Sequence, residues 1–271
     1  MTAPAMVIAQ ISDPHVAAPG SKMDTVARTT THLERAVDHL NALQPRPAVA
    51  LVTGDLTDGG TIEEYQRLRG VLDRLTMPAY LIPGNHDDRD NMRRVFDHHP
   101  YLATDGFLQY AVEDFPVRLL ALDTLVPGEG RGLLCAQRLA WLDARLQEAP
   151  DRPTLIFMHH PPFTTGLSYM DGMGLGGIDA FAAIVRRHPQ VERIVAGHVH
   201  RPIVRRFAGT VACTCPSTAH QVALELPPER RLAVTMEPPA CLLHVWLDDA
   251  QGLVTHVSLI ERYPLRVVVA G

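Results

Sequence analysis

Length, composition and charge describe an ordinary globular chain and exclude some partners. The chain has 271 residues, of which 46% are hydrophobic and 20% are charged, and its formal net charge is −5. This length suits one large α/β domain better than two ordinary domains. A nucleic acid polymer is not an expected partner, because such binding depends mainly on Lys and Arg side chains that neutralise phosphates.

The sequence shows no pattern typical of secretion or membrane insertion. Residues 1–10 lack a basic segment followed by a long apolar run, and no later run is apolar enough to span a bilayer. The cysteines, which lie at Cys135, Cys213, Cys215 and Cys241, form no CxxC pair. They indicate buried thiols in a reducing compartment, although their spacing also allows a disulfide between subunits. We therefore expect a cytoplasmic protein that has no membrane partner.

Five short apolar runs each end at a polar cluster, as buried strands do where they meet a loop. The predicted strands are Met6 to Ile11, Val49 to Thr53, Ala79 to Ile82, Thr154 to Met158 and Glu192 to Ala196. Helical periodicity lies between them, over Arg28 to Leu43, Ile62 to Leu75, Ala136 to Gln147 and Ile178 to His188. This alternation predicts a largely parallel sheet, and ligands of such sheets bind at the carboxyl ends of the strands. The five polar clusters are therefore expected to meet at one site.

The pattern changes after His200, where short strands are joined by turns. The predicted strands are Ile203 to Phe207, Thr210 to Cys213, Arg231 to Met236, Cys241 to Leu247 and Leu253 to Leu259. We expect a single domain over residues 1–271 with a small C-terminal hairpin cap at about 201–245. Within it, the Pro-containing stretch from Leu226 to Pro239 is a candidate cap or dimer contact.

The polar clusters differ in specificity when each is taken alone, with Asp13-Pro14-His15 and Gly54-Asp55 the weakest signals and Gly84-Asn85-His86-Asp87 more specific. In chain order the clusters are Asp13-Pro14-His15, Gly54-Asp55, Gly84-Asn85-His86-Asp87, His159-His160-Pro161-Pro162 and Gly197-His198-Val199-His200. An isolated DxH is usually structural, and Gly followed by Asp is common in turns. Five such clusters at five successive strand ends are far less probable as coincidences than as parts of one metal site.

The five clusters together resemble the calcineurin-like metallophosphoesterases, whose pattern is DxH, GDxxD, GNHD/E, a His before small or Pro residues, and GHxH. The resemblance runs from Asp13 to His200 and implies a four-layer α/β/β/α sandwich, in which two mixed sheets are flanked by helices. It also implies two divalent metal ions, the first bound by Asp13, His15 and His200 and the second by Asn85, His159 and His198, with Asp55 bridging them. The choice of His159 over His160 comes from the resemblance alone. Such a mixed oxygen and nitrogen set suits Fe, Mn, Zn or Co better than Ca or Mg.

The resemblance implies hydrolysis by in-line attack of a hydroxide held between the two metals. His86 is expected to face the substrate, as a hydrogen-bond donor or as the proton source for the leaving alkoxide. Asp58 is expected to orient His86 by accepting its other N–H. Asn85 and, from the hairpin region, His220 are further candidate contacts of the phosphate.

The substrate is expected to be a small phosphodiester. The protein serine/threonine phosphatases of this superfamily carry Arg and Gly after the second Asp of GDxxD, whereas Asp58 is followed by Gly59 and Gly60. The motifs instead resemble the bacterial class III cyclic nucleotide phosphodiesterase and glycerophosphodiesterase branch, whose members often form dimers or larger assemblies. Alternatives are a broad phosphomonoesterase, a nuclease, or a scaffold of the same fold without hydrolase activity.

Overall fold

The structure is a computed structural model that describes residues 6–226, 231–261 and 263–264. Within these ranges the secondary structure elements, in chain order, are β1 Met6–Ile11, α1 Lys22–Thr25, α2 Thr29–Ala42, β2 Val49–Thr53, α3 Ile62–Leu72, β3 Ala79–Ile82, α4 Arg89–Val95, β4 Tyr110–Val112, β5 Arg118–Ala121, β6 Gly132–Leu133, α5 Ala136–Glu148, β7 Thr154–Phe157, α6 Ser168–Asp171, β8 Leu175–Gly176, α7 Ile178–Arg187, β9 Val191–Ala196, β10 Val204–Phe207, β11 Thr210–Thr214, β12 Gln221–Val222, β13 Val234–Thr235, β14 Ala240–Trp246 and β15 Leu253–Leu259. None of the helices in the described part of the chain is both long and apolar enough to cross a membrane.

Most of the strands belong to two large mixed sheets. The first sheet has the order β15-β14-β1-β2-β3, in which β1, β2 and β3 are parallel. In the C-terminal hairpin, β14 pairs antiparallel with β1, and β15 pairs antiparallel with β14. The second sheet has the order β10-β11-β9-β7-β5-β4, in which the four inner strands are parallel and both edge strands are antiparallel to their neighbours. Each sheet thus contains a run of neighbouring parallel strands, as the alternation of strands and helices predicts.

Side chains of β7 show how the layers are stacked. Leu155 and Phe157 belong to the apolar cluster that contains the first sheet and helices α2 and α3, whereas Ile156 and Met158 pack with helices α5 and α7. Because successive residues of a strand point to opposite faces, the second sheet packs against the first on one side and against helices on the other. The predicted α/β/β/α sandwich is confirmed.

The five strands predicted before the polar clusters are all present. β1, β2 and β3 have the predicted bounds, β7 ends one residue earlier, and β9 begins one residue earlier. The four predicted helices differ by one to three residues at their ends. In the described part of the chain, eight elements were not predicted, namely α1, α4, β4, β5, β6, α6, β8 and β12.

The part of the predicted cap that lies outside the large sheets is smaller than expected. β10 and β11 belong to the second sheet and β14 to the first, so only the segment between Thr214 and Ala240 leaves them. There, β12 and β13 form a short antiparallel ribbon in place of the longer strand predicted over Arg231 to Met236. Residues 227–230 of the predicted Leu226 to Pro239 excursion lie outside the described part of the chain.

Candidate metal centre

The seven predicted ligands lie in the loops that follow five parallel strands. Asp13 and His15 follow β1, Asp55 follows β2, and Asn85 follows β3. On the second sheet, His159 follows β7, and His198 and His200 follow β9. All of them are buried except Asn85, which is partly exposed. The carboxyl ends of the two sheets therefore meet at one polar site.

The backbone is strained at most of these positions. The residues Asp13, His15, Asp55, His198 and His200 have φ values of 51°, 42°, 45°, 69° and 48°. In the described part of the chain, Arg28 and Ala208 are the other non-glycine residues with positive φ. A sparsely populated backbone conformation costs about 1–3 kcal/mol and persists where the surrounding structure enforces it. Backbone strain is thus concentrated at the candidate ligands, where it sets the direction of their side chains.

Two motif glycines allow the loops to approach each other closely. A Cβ atom at Gly84 would lie 2.2 Å from the main-chain N of Asp55 and 2.3 Å from its Oδ1. At Gly197, a Cβ atom would lie 2.1 Å from Ser12 Oγ and 2.7 Å from Asp13 Oδ2. Both contacts join loops of different strands, so a larger residue at either position would displace a predicted ligand.

The first group of candidate ligands contains Asp13, His15, Asp55 and His200. Their ligand atoms all lie within 4.8 Å of one another. His15 Nε2 is 3.2 Å from His200 Nε2 and 3.6 Å from Asp55 Oδ2, and His200 Nε2 is 3.3 Å from Asp13 Oδ1. One cation placed among these atoms would be in reach of all four side chains.

The second group lies on the other side of Asp55. His159 Nε2 is 3.3 Å from Asp55 Oδ1 and 3.2 Å from Asn85 Oδ1. The His198 ring lies beside His159, with 5.1 Å between ring centroids. Asp55 therefore directs one carboxylate oxygen towards each group, which is the geometry required of a bridging ligand.

The hydrogen bonds of these histidines fit metal binding. His159 Nδ1 donates to the main-chain O of Thr53 at 2.9 Å, and His200 Nδ1 donates to that of His220 at 3.0 Å. In the neutral imidazole, each bond fixes the tautomer that leaves a lone pair on Nε2, the nitrogen that faces the cluster. Both ring nitrogens of His198 are buried and have no hydrogen-bond partner. Since buried polar atoms are normally paired, and a neutral imidazole nitrogen is a metal ligand, the residues fit a dinuclear divalent centre.

His160 has a different role from its neighbour His159. Thr124 Oγ1 lies 2.8 Å from His160 Nδ1, and the main-chain O of Gly130 lies 3.1 Å from its Nε2. Both ring nitrogens therefore have protein partners. Of the two adjacent histidines, only His159 directs a ring nitrogen at Asp55 and Asn85.

The charges of the site act in opposite directions on cation binding at neutral pH, because the Asp55 carboxylate favours a cation and a protonated His159 opposes it. Burial raises the pKa of Asp55, but the neighbouring His159 and His15 outweigh burial, and the pKa is held well below its usual range. Burial and the neighbouring imidazoles of His160 and His159 lower the pKa of His198 far below its usual value. Burial lowers the pKa of His159, but the Asp55 carboxylate outweighs burial and raises the pKa to about 9. Metal uptake must therefore release a proton from His159, so binding weakens as the pH falls.

The contact between Asp58 and His86 differs from the prediction. His86 Nδ1 donates to the main-chain O of Asp58 at 2.8 Å, whereas the Asp58 carboxylate is 4.0 Å from the same nitrogen. The carboxylate is instead closer to the buried His15 Nδ1, at 3.5 Å. His86 itself is exposed and packs edge-on against His15, with 4.7 Å between ring centroids. It therefore lies where the first group opens to solvent.

His220 is also brought to the site. Its ring centroid is 4.8 Å from that of His200 and 5.4 Å from that of His15, and its Nδ1 is buried without a hydrogen-bond partner. Burial and the neighbouring His200 and His15 lower the pKa of His220 to about 3. A neutral imidazole thus borders the first group.

Asp87 is a structural residue of the site that the sequence analysis did not assign. Its buried carboxylate accepts hydrogen bonds from the main-chain N atoms of Gly84, Leu56 and Thr57, at 2.8, 3.0 and 3.2 Å, and from Tyr65 OH at 2.8 Å. These bonds tie the loop after β2 to the loop after β3. The available signal was its position as the fourth residue of the GNHD motif.

Comparison with known proteins places this fold and site in a family. The sequence pattern of the calcineurin-like phosphoesterases matches residues 6–202, and the chain belongs to this family. The chain is 36% identical to a protein of Arcobacter nitrofigilis named "probable glycerophosphodiester phosphodiesterase", over 95% of this chain and 94% of that protein. It is 37% identical to a "probable cyclic nucleotide phosphodiesterase" of Rhodopseudomonas palustris, over 94% and 93% of the two chains.

A solved structure supports the fold independently of close sequence similarity. The crystal structure of a dimetal phosphatase from Danio rerio superposes with a TM-score of 0.67 at 17% sequence identity. The superposition covers 96% of this chain and 100% of that one. The chain thus shares the fold of this solved structure, in agreement with the family to which it belongs.

Proposed function

We propose that the protein hydrolyses small phosphodiesters, of the cyclic nucleotide or glycerophosphodiester class, at a centre of two divalent metal ions. The observation that carries the proposal is the position of Asp55. Its Oδ2 is 3.6 Å from His15 Nε2, and its Oδ1 is 3.3 Å from His159 Nε2. The first ion would be held by Asp13, His15, Asp55 and His200, and the second by Asp55, Asn85, His159 and His198. Mn, Fe, Zn and Co suit this ligand set.

When bound, two such ions lower the pKa of a water molecule and neutralise phosphoryl oxygens. The protein contributes further groups at the opening of the site. His86 donates its Nδ1 proton to the main-chain O of Asp58, so its Nε2 is the nitrogen available to a substrate. We assign His86 as the donor to the leaving alkoxide, and we place Asn85 and His220 at the phosphate.

The charge state of His86 supports this assignment. Burial lowers the pKa of His86, but Asp55 and the main-chain O of Asp58 outweigh burial, so the pKa is raised. A raised pKa increases the protonated fraction near neutral pH, which a general acid requires. Loss of this proton donor would matter most for poor leaving groups.

The substrate class follows from the similarity to two named phosphodiesterases over nearly the whole chain. The test is to measure hydrolysis of 3′,5′-cyclic AMP, glycerophosphoethanolamine, bis(p-nitrophenyl) phosphate and the monoester p-nitrophenyl phosphate by the manganese-loaded protein. We expect all three diesters to be hydrolysed, with a larger kcat/KM for at least one natural diester than for the monoester. A preference for the monoester would refute the proposed class.

We also propose that the protein forms a homo-oligomer through the β12–β13 ribbon and its flanking residues. Five apolar side chains there are at least half exposed: Leu224, Leu226, Leu232, Val234 and Met236. The charged neighbours Glu225 and Arg231 form an ion pair at 2.6 Å, so these two described residues together offer no net positive charge to an anionic lipid surface. An apolar surface with balanced charges can pair with the same surface of a second copy.

The cysteines support a reducing compartment such as the cytoplasm. All four are free thiols, and Cys213, Cys215 and Cys241 are buried. Burial raises the pKa of Cys213 to about 11 and that of Cys241 to about 12. These are unreactive structural thiols, as expected where disulfides do not form.

A further inference from the structure

We propose that Asp58 is a positioning residue for the metal ligand His15 and not for His86. The proposal rests on the metal centre of the proposed function, and it concerns the second Asp of the GDxxD motif. Asp58 Oδ1 lies 3.5 Å from His15 Nδ1 and 4.0 Å from His86 Nδ1. The carboxylate would hold the His15 ring so that its Nε2 faces the first ion.

The two nitrogens of His15 have different surroundings. Nε2 faces the first group of ligands, 3.2 Å from His200 Nε2 and 3.6 Å from Asp55 Oδ2. Nδ1 is buried and forms no hydrogen bond of good geometry. Because buried N–H groups are nearly always paired, the adjacent Asp58 carboxylate is the acceptor that a small rotation of either side chain would bring into range.

Two of the other three candidate ligand histidines show the same arrangement with weaker acceptors. Nδ1 of His159 and Nδ1 of His200 each donate to a main-chain carbonyl, at 2.9 and 3.0 Å. A partner on the remote nitrogen fixes ring orientation and increases the basicity of the ligating nitrogen. An ionised carboxylate is the stronger acceptor, so the effect should be largest at His15.

His86 does not depend on the Asp58 side chain. Its Nδ1 donates to the main-chain O of Asp58, and this carbonyl is retained in any side-chain substitution at position 58. The structure therefore allows the two roles to be separated. Substitution of the carboxylate should alter the orientation of the His15 ring, while the hydrogen bond from His86 Nδ1 to the main-chain O of residue 58 remains.

The test is titration of metal-free protein with Mn²⁺, in which electron paramagnetic resonance measures the concentration of the free ion at each step. We expect Asp58→Ala to weaken one of two sites by about 10–100-fold and to leave the other unchanged. Asp58→Asn, which keeps an uncharged acceptor, should show an intermediate loss. His15→Ala provides the reference for loss of the first ion, and His86→Ala should retain both sites.

A second readout separates this role from a role through His86. If Asp58 acts through His15, the effects of Asp58→Ala and His86→Ala on turnover should add in the double variant. Normal binding of two Mn²⁺ by Asp58→Ala, together with non-additive effects on turnover, would overturn the proposal. Circular dichroism confirms folding, and Asp58→Asn carries the test if Asp58→Ala does not fold. Because the titration needs no substrate, a protein that binds two ions but hydrolyses nothing would refute the proposed function alone.

Discussion

Individual histidines of this chain differ in what their ring nitrogens contact. The candidate ligands His159 and His200 have one nitrogen on a carbonyl and the other directed at carboxylates. In contrast, His160 and His244 have protein partners on both nitrogens. The second arrangement buries a neutral imidazole as part of the core, whereas the first prepares it for a cation.

The role of His86 predicts a dependence on the leaving group. His86→Ala should reduce kcat by about 10²–10⁴-fold for glycerophosphoethanolamine, because its alkoxide leaving group needs a proton. The loss should be much smaller for bis(p-nitrophenyl) phosphate, since p-nitrophenolate is stable without one. The measurement is kcat of the variant and of the wild type on each of the two substrates. Equal losses on both substrates would contradict a proton-donor role.

Glycine at position 84 is required by the packing of two loops. Gly84→Ala should destabilise the protein by about 1–3 kcal/mol and weaken Mn²⁺ binding, because its Cβ would meet Asp55. Gly70 is the matched control, since it lies within α3 and a built Cβ would meet no atom within 4 Å apart from its chain neighbours and the backbone of its own helix. Gly70→Ala should stabilise the protein by about 0.5–1 kcal/mol. Urea unfolding and the number of bound ions test both variants, and equal effects at the two glycines would contradict this explanation.

His244 predicts a pH dependence of stability away from the metal centre. Burial, with a smaller effect of Arg193, lowers the pKa of His244 to about 3 in the folded protein. Between that value and the ordinary value near 6.5, only the unfolded chain takes up the proton at this position. This residue therefore stabilises the fold fully above about pH 6.5, and its contribution falls by up to about 1.4 kcal/mol per pH unit below it.

Substitution of His244 should remove that part of the pH dependence. In metal-free His244→Gln, the free energy of unfolding in urea should fall less steeply between pH 6 and pH 4 than in wild type. His256→Gln, at an exposed position of the neighbouring strand, should leave the slope unchanged. The same slope in His244→Gln and wild type would show that His244 is not buried in its neutral form.

Residue identities predicted which side chains lie together at the site but not the local geometry. The motifs named all seven side chains that the two groups contain. They did not predict the left-handed backbone at five of them, because Asp and His adopt this conformation rarely and under tertiary constraint. The contact of the Asp58 carboxylate with His15 was missed for a related reason. Spacing places Asp58 near the site, but side-chain rotation decides which imidazole it meets.

At the scale of elements, buried strands were predicted best. β1, β2 and β3 are continuous apolar runs between polar loops, which is the pattern of a strand covered on both faces. β5 was missed because it begins with Arg118, whose charge is buried between Glu113 and Glu148. A sequence pattern cannot distinguish such a paired buried charge from an exposed one.

One buried ion pair connects elements of the two sheets near the site. Arg89, at the start of α4, contacts the Asp123 carboxylate at 2.6 and 2.8 Å, and Asp123 follows β5. Asp123 also accepts from the main-chain N atoms of Leu108 and Leu125, at 2.9 and 3.0 Å. The pair therefore holds the loop after β3 against the end of β5.

Removal of this carboxylate should be costly. Asp123→Asn leaves the Arg89 guanidinium without its charge partner and should lower the free energy of unfolding by about 3–5 kcal/mol. The control is Asp73→Asn, because Asp73 pairs with Arg69 at 3.6 Å on the surface and should contribute less than about 1 kcal/mol. Urea unfolding of both variants decides this, and similar losses would mean that burial of the pair has little influence.

At the scale of the whole molecule, the site exists only because two sheets face each other with their carboxyl ends together. The first sheet supplies Asp13, His15, Asp55 and Asn85, and the second supplies His159, His198 and His200. The sequence predicted alternating strands and helices, while the division into two sheets came from the family resemblance. Which strands pair cannot be read from local periodicity, because it depends on contacts between distant segments.

The exposed apolar side chains of the ribbon predict self-association. A single charge among them, Leu224→Lys, should convert an oligomer to a monomer of 29.8 kDa. Val26→Lys is the control, because Val26 is also exposed but is distant in sequence from the ribbon, at the end of α1. Light scattering after gel filtration measures the mass. A wild-type monomer, or an oligomer that persists in Leu224→Lys, would contradict the proposed contact.

The most direct test of the central claim counts metal ions and turnover in the same sample. Metal-stripped protein is titrated with Mn²⁺ while the bound ions per chain and the hydrolysis of bis(p-nitrophenyl) phosphate are recorded. The account predicts no turnover in the metal-free protein, two bound ions per chain at saturation, and full turnover only when both sites are filled. Turnover without metal, or two bound ions with no hydrolysis of any diester, would contradict it.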